Sequence, residues 1–367
     1  MRNSVAVIGA GTSGLIAAKR IASLGIETAV YEQKTKLGYP QKASGIVSIK
    51  GLMSLGVGYR KAVTNTLYGA NIHAGKTIMR VISKEPQAHV LDRVKLNEIC
   101  YKESIEAGAE VRKGIQVDSN MLAKLHKGNI IVGADGALST VARHFSMGEL
   151  DRYLLTYKAD FEVEVGNSKI VDMFFDNRIA PNFFAWLCPN SKEVLEVGIG
   201  IDSRYGNSKA AFELFLKTEE AARRIKGAKQ IEGHASIIPL RTTRRLVDEK
   251  NEVVLVGDAA GQVKATTGGG IVFGGNGAIM ASNAIAEHIQ KGAPLKQYET
   301  SFKRKFGSDL ALHLMINRIY SNISANRMAF MLSAMKTLGF EEFFAKHGDM
   351  DRPILMLKRL FLRRFAK

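Results

Sequence analysis

The eleven residues from Ser4 to Gly14 restrict the fold of this chain more than any other stretch. Ser4–Ile8 is a short apolar run that reads as a strand, and Gly9-Ala10-Gly11-Thr12-Ser13-Gly14 follows it at once. A helix is expected from Leu15 to Leu24, stopped by Gly25, and then a second strand over Thr28–Tyr31 that ends at Glu32. Strand, G-x-G-x-x-G turn, helix and strand make the opening of a βαβ unit. Each glycine has its own task there. The first permits the tight turn, the second lets backbone approach a pyrophosphate, and the third brings helix against strand. The free N–H groups at the helix start then face the phosphates. Glu32 stands 18 residues after Gly14, where a carboxylate accepts hydrogen bonds from ribose hydroxyls. The same residues also read as a glycine-rich turn without a ligand, and the motif alone does not separate NAD from FAD.

Two later segments separate them. Residues 130–143 read Ile-Ile-Val-Gly-Ala-Asp-Gly-Ala-Leu-Ser-Thr-Val-Ala-Arg, a strand that runs through Gly133-Ala134-Asp135-Gly136 into a helix. Residues 253–261 read Val-Val-Leu-Val-Gly-Asp-Ala-Ala-Gly, and Thr267-Gly268-Gly269-Gly270-Ile271 follows after a gap. Asp258 closes a buried strand, so its carboxylate is set at the strand's C-terminal edge to meet a polyol. The glycine run opens another helix, whose positive end suits negative charge on a reduced isoalloxazine. Each segment alone also reads as a structural turn. In this order, and together with the first motif, they point to FAD.

In that combination the chain resembles the FAD-dependent family built on the p-hydroxybenzoate hydroxylase type of fold, from Gly9 to about Ala281. The resemblance implies roles position by position. Ser13 contacts the phosphates, Glu32 the adenosine ribose, and Arg93, in Leu91-Asp92-Arg93, reaches the cofactor from a helix start. Val117 meets the adenine region through its backbone, Asp258 the ribityl chain, and the amides of Gly270 and Ile271 the flavin pyrimidine. Taken by itself, Arg93 reads as a solvated helix-terminal charge. The sequence has no second strand–G-x-G-x-x-G–helix unit for a nicotinamide domain and no C-x-x-x-x-C pair. That excludes disulfide reductases of the glutathione-reductase type and calls for a transient electron donor.

Strand–helix units at the two ends of a strand-rich middle give a mixed α/β (α+β) class. The expected architecture is a Rossmann-like FAD-binding domain interrupted by an antiparallel-sheet substrate domain, with a helical C-terminal region. The boundaries fall at 1–65, 88–150 and 245–295 for the FAD-binding domain, 66–87 and 151–244 for the substrate domain, and 296–367 for the basic helical region. Leu67–Ile72 and Thr77–Ser83 read as the arms of a hairpin, and Arg93–Glu106 and Tyr205–Arg224 as helices.

Composition narrows the partners. No apolar run approaches the roughly 18 residues of a spanning helix, and no signal-peptide series opens the chain, so a cytoplasmic protein is expected. Cys100 and Cys188 form no C-x-x-C pair, and no metal site is expected. With 52 Lys+Arg against 35 Asp+Glu, the net charge of +17 favours anionic partners. No aromatic–basic repeat or zinc finger speaks for nucleic acid. Residues 301–367 hold 13 Lys+Arg and 5 Asp+Glu. Their last stretch, Pro353–Phe365, interleaves Lys358, Arg359, Arg363 and Arg364 with apolar residues. It reads either as a packed terminal helix with solvated basic ends or as a peripheral contact with the anionic inner face of the cell membrane.

On the substrate side, Pro181-Asn-Phe-Phe-Ala-Trp-Leu-Cys-Pro189 puts Phe184, Trp186 and Cys188 on one face if it is extended. A flat aromatic face beside a flavin suits an elongated apolar substrate, although spacing alone favours Trp186 as a core residue. The segment is similar to the P-x-x-Y-x-W-x-F-P motif that lines the isoprenoid tunnel of archaeal geranylgeranyl reductases. Pro181, Trp186 and Pro189 match, Phe184 replaces Tyr and Cys188 replaces Phe. With Gly257-Asp258-Ala259-Ala260-Gly261 and Gly268-Gly269-Gly270-Ile271, the chain is identified as a member of that family. One departure stands out. The family's cysteine–glycine loop after the second strand is Pro40-Gln41-Lys42-Ala43-Ser44-Gly45 here, which leaves Ala43 at the thiol position and Ala43, Ser44 and Gly45 as backbone contacts to FAD.

Membership implies reduction of C=C bonds in geranylgeranyl chains of ether lipids or of the diphosphate, with hydride from reduced flavin and electrons from NAD(P)H or ferredoxin. The catalytic proton donor is not assigned by any motif. Two other readings share the motifs: a flavin monooxygenase or halogenase of the same fold, and a flavin-bearing lipid-binding protein without turnover.

Overall fold

The computed structural model describes residues 2–41 and 44–365, the side chains of 361–365 excepted. Ser4–Ile8 is central in a six-stranded sheet, paired in parallel with Glu27–Glu32 on one side and Asn129–Gly133 on the other. Glu110–Lys113 extends the sheet beyond Glu27–Glu32. Val253–Leu255 extends it beyond Asn129–Gly133, and Val247–Asp248 closes that edge antiparallel. The inner strands read as unbroken apolar runs because both faces are covered, and Val5, Val7, Ile130, Val132 and Val254 are fully buried. Thr12–Ser23 packs against both Arg93–Glu106 and the glycine-rich helix Ile271–Lys291. Its approach to the latter is close. A Cβ added at Gly274 would come within 2.6 Å of Ser13 Oγ.

A second sheet has seven strands in the order Lys229–Thr242, Leu150–Glu162, Val194–Asp202, Ala185–Pro189, Ile170–Phe174, Gly69–Ala74, Thr77–Ile82. Every pairing is antiparallel except Ile170–Phe174 with Gly69–Ala74. Strand alternation sends Ala185 and Leu187 to a cluster with Phe212 and Phe215, and Trp186 and Cys188 to the opposite face. That opposite face is covered by helices Lys296–Ser321, Ala325–Thr337 and Phe340–His347, which contribute Tyr320, Met328, Leu332 and Phe344. A small three-stranded sheet, Ile46–Ser48, Ala88–Leu91 and Val63–Leu67, lies between the regions in sequence. The fold is therefore the mixed α/β class expected, with a Rossmann-like sheet, an antiparallel sheet and a C-terminal helical bundle.

Three local expectations change. The helix expected over Tyr205–Arg224 is broken into Ser208–Leu216 and Glu219–Arg224, because Thr218 Oγ1 accepts a hydrogen bond from the Ala221 amide and starts a new helix. The strand expected over Gln230–Ile238 runs from Lys229 to Thr242, held along its length by Leu150–Glu162. The first arm of the hairpin is Gly69–Ala74 rather than Leu67–Ile72, because Leu67 pairs with Ala88 in the small three-stranded sheet. No described helix is long and apolar enough to cross a membrane.

Candidate flavin site

The three motif glycines do different things. Gly9 has φ +103° and donates its N–H to Tyr31 O at 2.8 Å. A Cβ there would lie 2.5 Å from Ala134 O, and one on Gly14 would overlap Gly9 O. A Cβ on Gly11, in contrast, would meet nothing within 4 Å. The outer glycines serve packing, whereas Gly11 faces open space at the helix N-terminus, as a phosphate cradle requires. Glu32 organises the turn from below. Its Oε2 accepts the Ala10 N–H at 2.8 Å and its Oε1 the Lys34 N–H at 2.9 Å, and each oxygen keeps a lone pair for a hydroxyl donor.

Arg93 and Asp258 come from distant parts of the chain to the same space. Asp92 Oδ1 caps the Arg93–Glu106 helix by accepting from Val94 N and Lys95 N, which fixes where the arginine emerges. One Arg93 amino group donates to Thr12 Oγ1 at 3.3 Å, and Thr12 in turn donates to Asn97 at 2.7 Å. Arg93 Nε is buried without any partner. Burial pushes the guanidinium's pKa down while Asp258 pulls it up. The converse holds at Asp258: burial pushes its carboxyl up, and Arg93 opposes this. The Asp258 carboxylate has no hydrogen bond among the described residues. Its strand end is rigid, because Gly257 N–H donates to Gln262 Oε1 (2.8 Å), Gln262 Nε2 to Tyr298 Oη (2.7 Å), and Tyr298 Oη to Leu255 O (2.9 Å). Unsatisfied buried donors and carboxylates are costly. A ligand carrying phosphates and polyol hydroxyls relieves both, so these residues fit FAD.

The other expected positions fall as follows. Gly270 is the N-cap of the glycine-rich helix and Ile271 its first residue; a Cβ on Gly270 would sit 2.8 Å from Asp258 Oδ1. Ser13 is wedged between Gly257 and Gly274. Gly45 O accepts from Leu91 N at 3.0 Å, close beside Ser44 in sequence, while Ala43 lies outside the described residues. Val117 is buried in the core beside the parallel sheet. Phe184 and Trp186 are not at this space. They are buried in the antiparallel sheet's cluster, 6.0 Å apart and edge to face, with Phe183 stacked on Phe184 at 4.2 Å. Trp186 lies over Gly198, and its indole N–H donates to Glu196 at 2.8 Å; Glu196 also pairs with Lys158 at 2.6 Å. Sequence reasoning missed Arg244, whose guanidinium donates to Ala259 O at 3.0 Å while its Nε stays unpartnered. It also missed Lys264. Its signal was a lone charge in an otherwise uncharged turn.

The model of the FAD binding domain family matches residues 2–305. The chain belongs to this family. It is 26% identical to digeranylgeranylglycerophospholipid reductase 1 of Methanothermobacter thermautotrophicus, over 92% of this chain and 91% of that one. It is also 26% identical to an uncharacterized protein of Methanocaldococcus jannaschii, over 95% and 92%. The structure of a geranylgeranyl bacteriochlorophyll reductase-like protein from Thermoplasma acidophilum superposes with a TM-score of 0.81 at 18% identity, covering 97% of this chain and 94% of that one. The flavin-dependent halogenase CmlS superposes at 0.69 and 16%, covering 96% and 73%. Within the family, then, this FAD-dependent oxidoreductase is similar along almost its whole length to proteins named as digeranylgeranylglycerophospholipid reductases.

Proposed function

We propose that the protein saturates C=C bonds of geranylgeranyl chains in isoprenoid lipids. One observation carries the reading: the cluster holding Phe184, Trp186 and Cys188 also takes in Ala265, from the turn between Asp258 and Gly270. An apolar wall thus abuts the flavin turn, as an elongated hydrocarbon needs. The relatives named as digeranylgeranylglycerophospholipid reductases supply the substrate class. Bound and reduced, FAD would supply a hydride to one alkene carbon, and the other would take a proton from water or a side chain. Gly9, Gly11, Ser13, Gly14, Glu32, Ser44, Gly45, Arg93, Val117, Asp258, Gly270 and Ile271 hold and orient it, Ala43 completing the set. Trp186, pinned by Glu196, fixes the shape of the apolar wall, and the covering helices keep water from it. Electrons come from NAD(P)H or ferredoxin. Contact with an anionic membrane surface is supported by Phe330, 77% exposed and one helical turn from the exposed Arg327, and by Leu338, 73% exposed.

The test is anaerobic. Reduced protein is mixed with geranylgeranyl lipid, and the lipid is weighed by mass spectrometry. A gain of two hydrogens per double bond is expected. Unchanged lipid that gains one oxygen atom when air is admitted would instead make the protein a monooxygenase.

A further inference from the structure

Lys264 lies in the turn between Asp258 and the glycine-rich helix, yet its side chain is only 5% exposed. The ammonium bonds Asp351 Oδ1 at 2.6 Å, and the other Asp351 oxygen accepts from Ser48 Oγ. Three remote segments meet here: the flavin turn, the start of the helix Ile49–Met53, and the C-terminal stretch Asp349–Arg352. That stretch is anchored in turn by Arg352 to Asp309 at 2.6 Å. The backbone of Lys264 closes the glycine turn, its N–H donating to Gly269 O at 3.1 Å and its carbonyl accepting from Gly268 N at 2.8 Å. A Cβ on Gly269 would lie 2.9 Å from Lys264 Cε and 3.4 Å from Nζ. Lys264 and Asp258 therefore border one turn from different sides. His313 adjoins the cluster, its Nδ1 2.7 Å from Thr266 Oγ1. Burial and then the Lys264 ammonium push His313 down to about 4, which keeps it neutral. Burial opposes ionisation of Asp351, but Lys264 and Ser48 hold it below the usual carboxylate range.

We propose that Lys264 is a positioning residue for FAD: Asp351 and Ser48 hold its ammonium behind the Gly268–Gly270 turn, where it fixes the turn and biases the site towards reduced flavin. A fixed cation favours the form of a neighbouring group that carries more negative charge, and the surrounding apolar core weakens screening. Asp351 opposes that bias while it fixes the position. The two residues therefore act in the same direction on stability and in opposite directions on flavin preference. The proposal depends on the FAD site and not on the identity of the substrate.

The experiment compares FAD-loaded Lys264→Met, Asp351→Asn and Ser48→Ala, reading the midpoint potential of the flavin, the FAD affinity of the stripped protein and the Tm. Lys264→Met is expected to bind reduced relative to oxidised FAD about tenfold less tightly, a fall of ~30 mV for a two-electron couple. Asp351→Asn should raise the potential, and Lys264→Arg should restore it. Ser48→Ala, which keeps both charges, should lower Tm without moving the potential. As a control, Lys158→Met opens the comparably buried Lys158–Glu196 pair in the other sheet and should leave the potential alone. Equal shifts in Lys264→Met and Asp351→Asn, or none in either, would overturn the proposal. If Asp351→Asn does not fold, the contrast between Lys264→Met and Ser48→Ala decides alone: matching potentials reject the role.

Discussion

Beside the parallel sheet, Arg93 and Arg244 each keep a buried Nε without a partner, and Asp258 faces a space that offers it no donor. In the antiparallel sheet, Trp186, Glu196 and Lys158 satisfy one another and are shut away from solvent; the orphans there are the neutral amide oxygens of Asn71 and Asn190. The first region presents charged groups that a polar ligand would satisfy. The second leaves only neutral oxygens unpaired among the described residues. Charged groups left unsatisfied mark where binding energy is to be gained, whereas a satisfied polar network fixes shape. On this contrast, substitutions beside the parallel sheet are expected to act on cofactor affinity, and substitutions in the antiparallel sheet on stability and on the form of the apolar wall.

The largest expected effect separates two glycines of one motif. Gly14→Ala drives a Cβ into Gly9 O and should abolish soluble folded protein. Gly11→Ala should fold with an unchanged Tm and yet bind FAD at least tenfold more weakly by fluorescence titration. A normal FAD affinity for Gly11→Ala would remove the cradle from this region. Next in size, Trp186→Ala should cost about 3–5 kcal/mol in denaturant unfolding and lose turnover of long isoprenoids while its FAD content stays full. If flavin is lost along with stability, the two regions are not separable.

Asp258→Asn gives a subtler contrast. Because the carboxyl's pKa is raised in the folded protein, the stability it contributes is present below the ordinary carboxylate range and is lost as pH rises through the raised value. At neutral pH the FAD-free variant should therefore be at least as stable as the parent, while binding FAD less tightly. A drop in the Tm of the stripped variant would show that Asp258 has a partner after all. The smallest effect is expected for Glu32→Gln, which keeps an acceptor for Ala10 N and should weaken FAD only several-fold.

What the sequence made legible was local. The G-x-G-x-x-G turn and the Asp92-capped helix Arg93–Glu106 depend on residues within a few positions of one another and are seen where they were expected, and the hairpin turns at Gly75 with its first arm shifted to Gly69–Ala74. Thr218 shows the limit even of local reading, since a cap inside a helical pattern was passed over. Trp186 is partnered by a residue ten positions away, but only through strand register. Lys264 is partnered across 87 residues, and nothing in its own turn announces Asp351. Long-range charge pairing leaves no periodicity to detect.

The place of Asp351 has a consequence for how the protein is made. The glycine motif and the strands Ser4–Ile8 and Glu27–Glu32 leave the ribosome before the turn proposed to carry the flavin, and that turn acquires its buried counter-charge only when residue 351 has emerged. Domains fold as their sequences are completed. On the proposed role of Lys264, a nascent chain that has not yet released Asp351 should hold FAD less firmly than one that has.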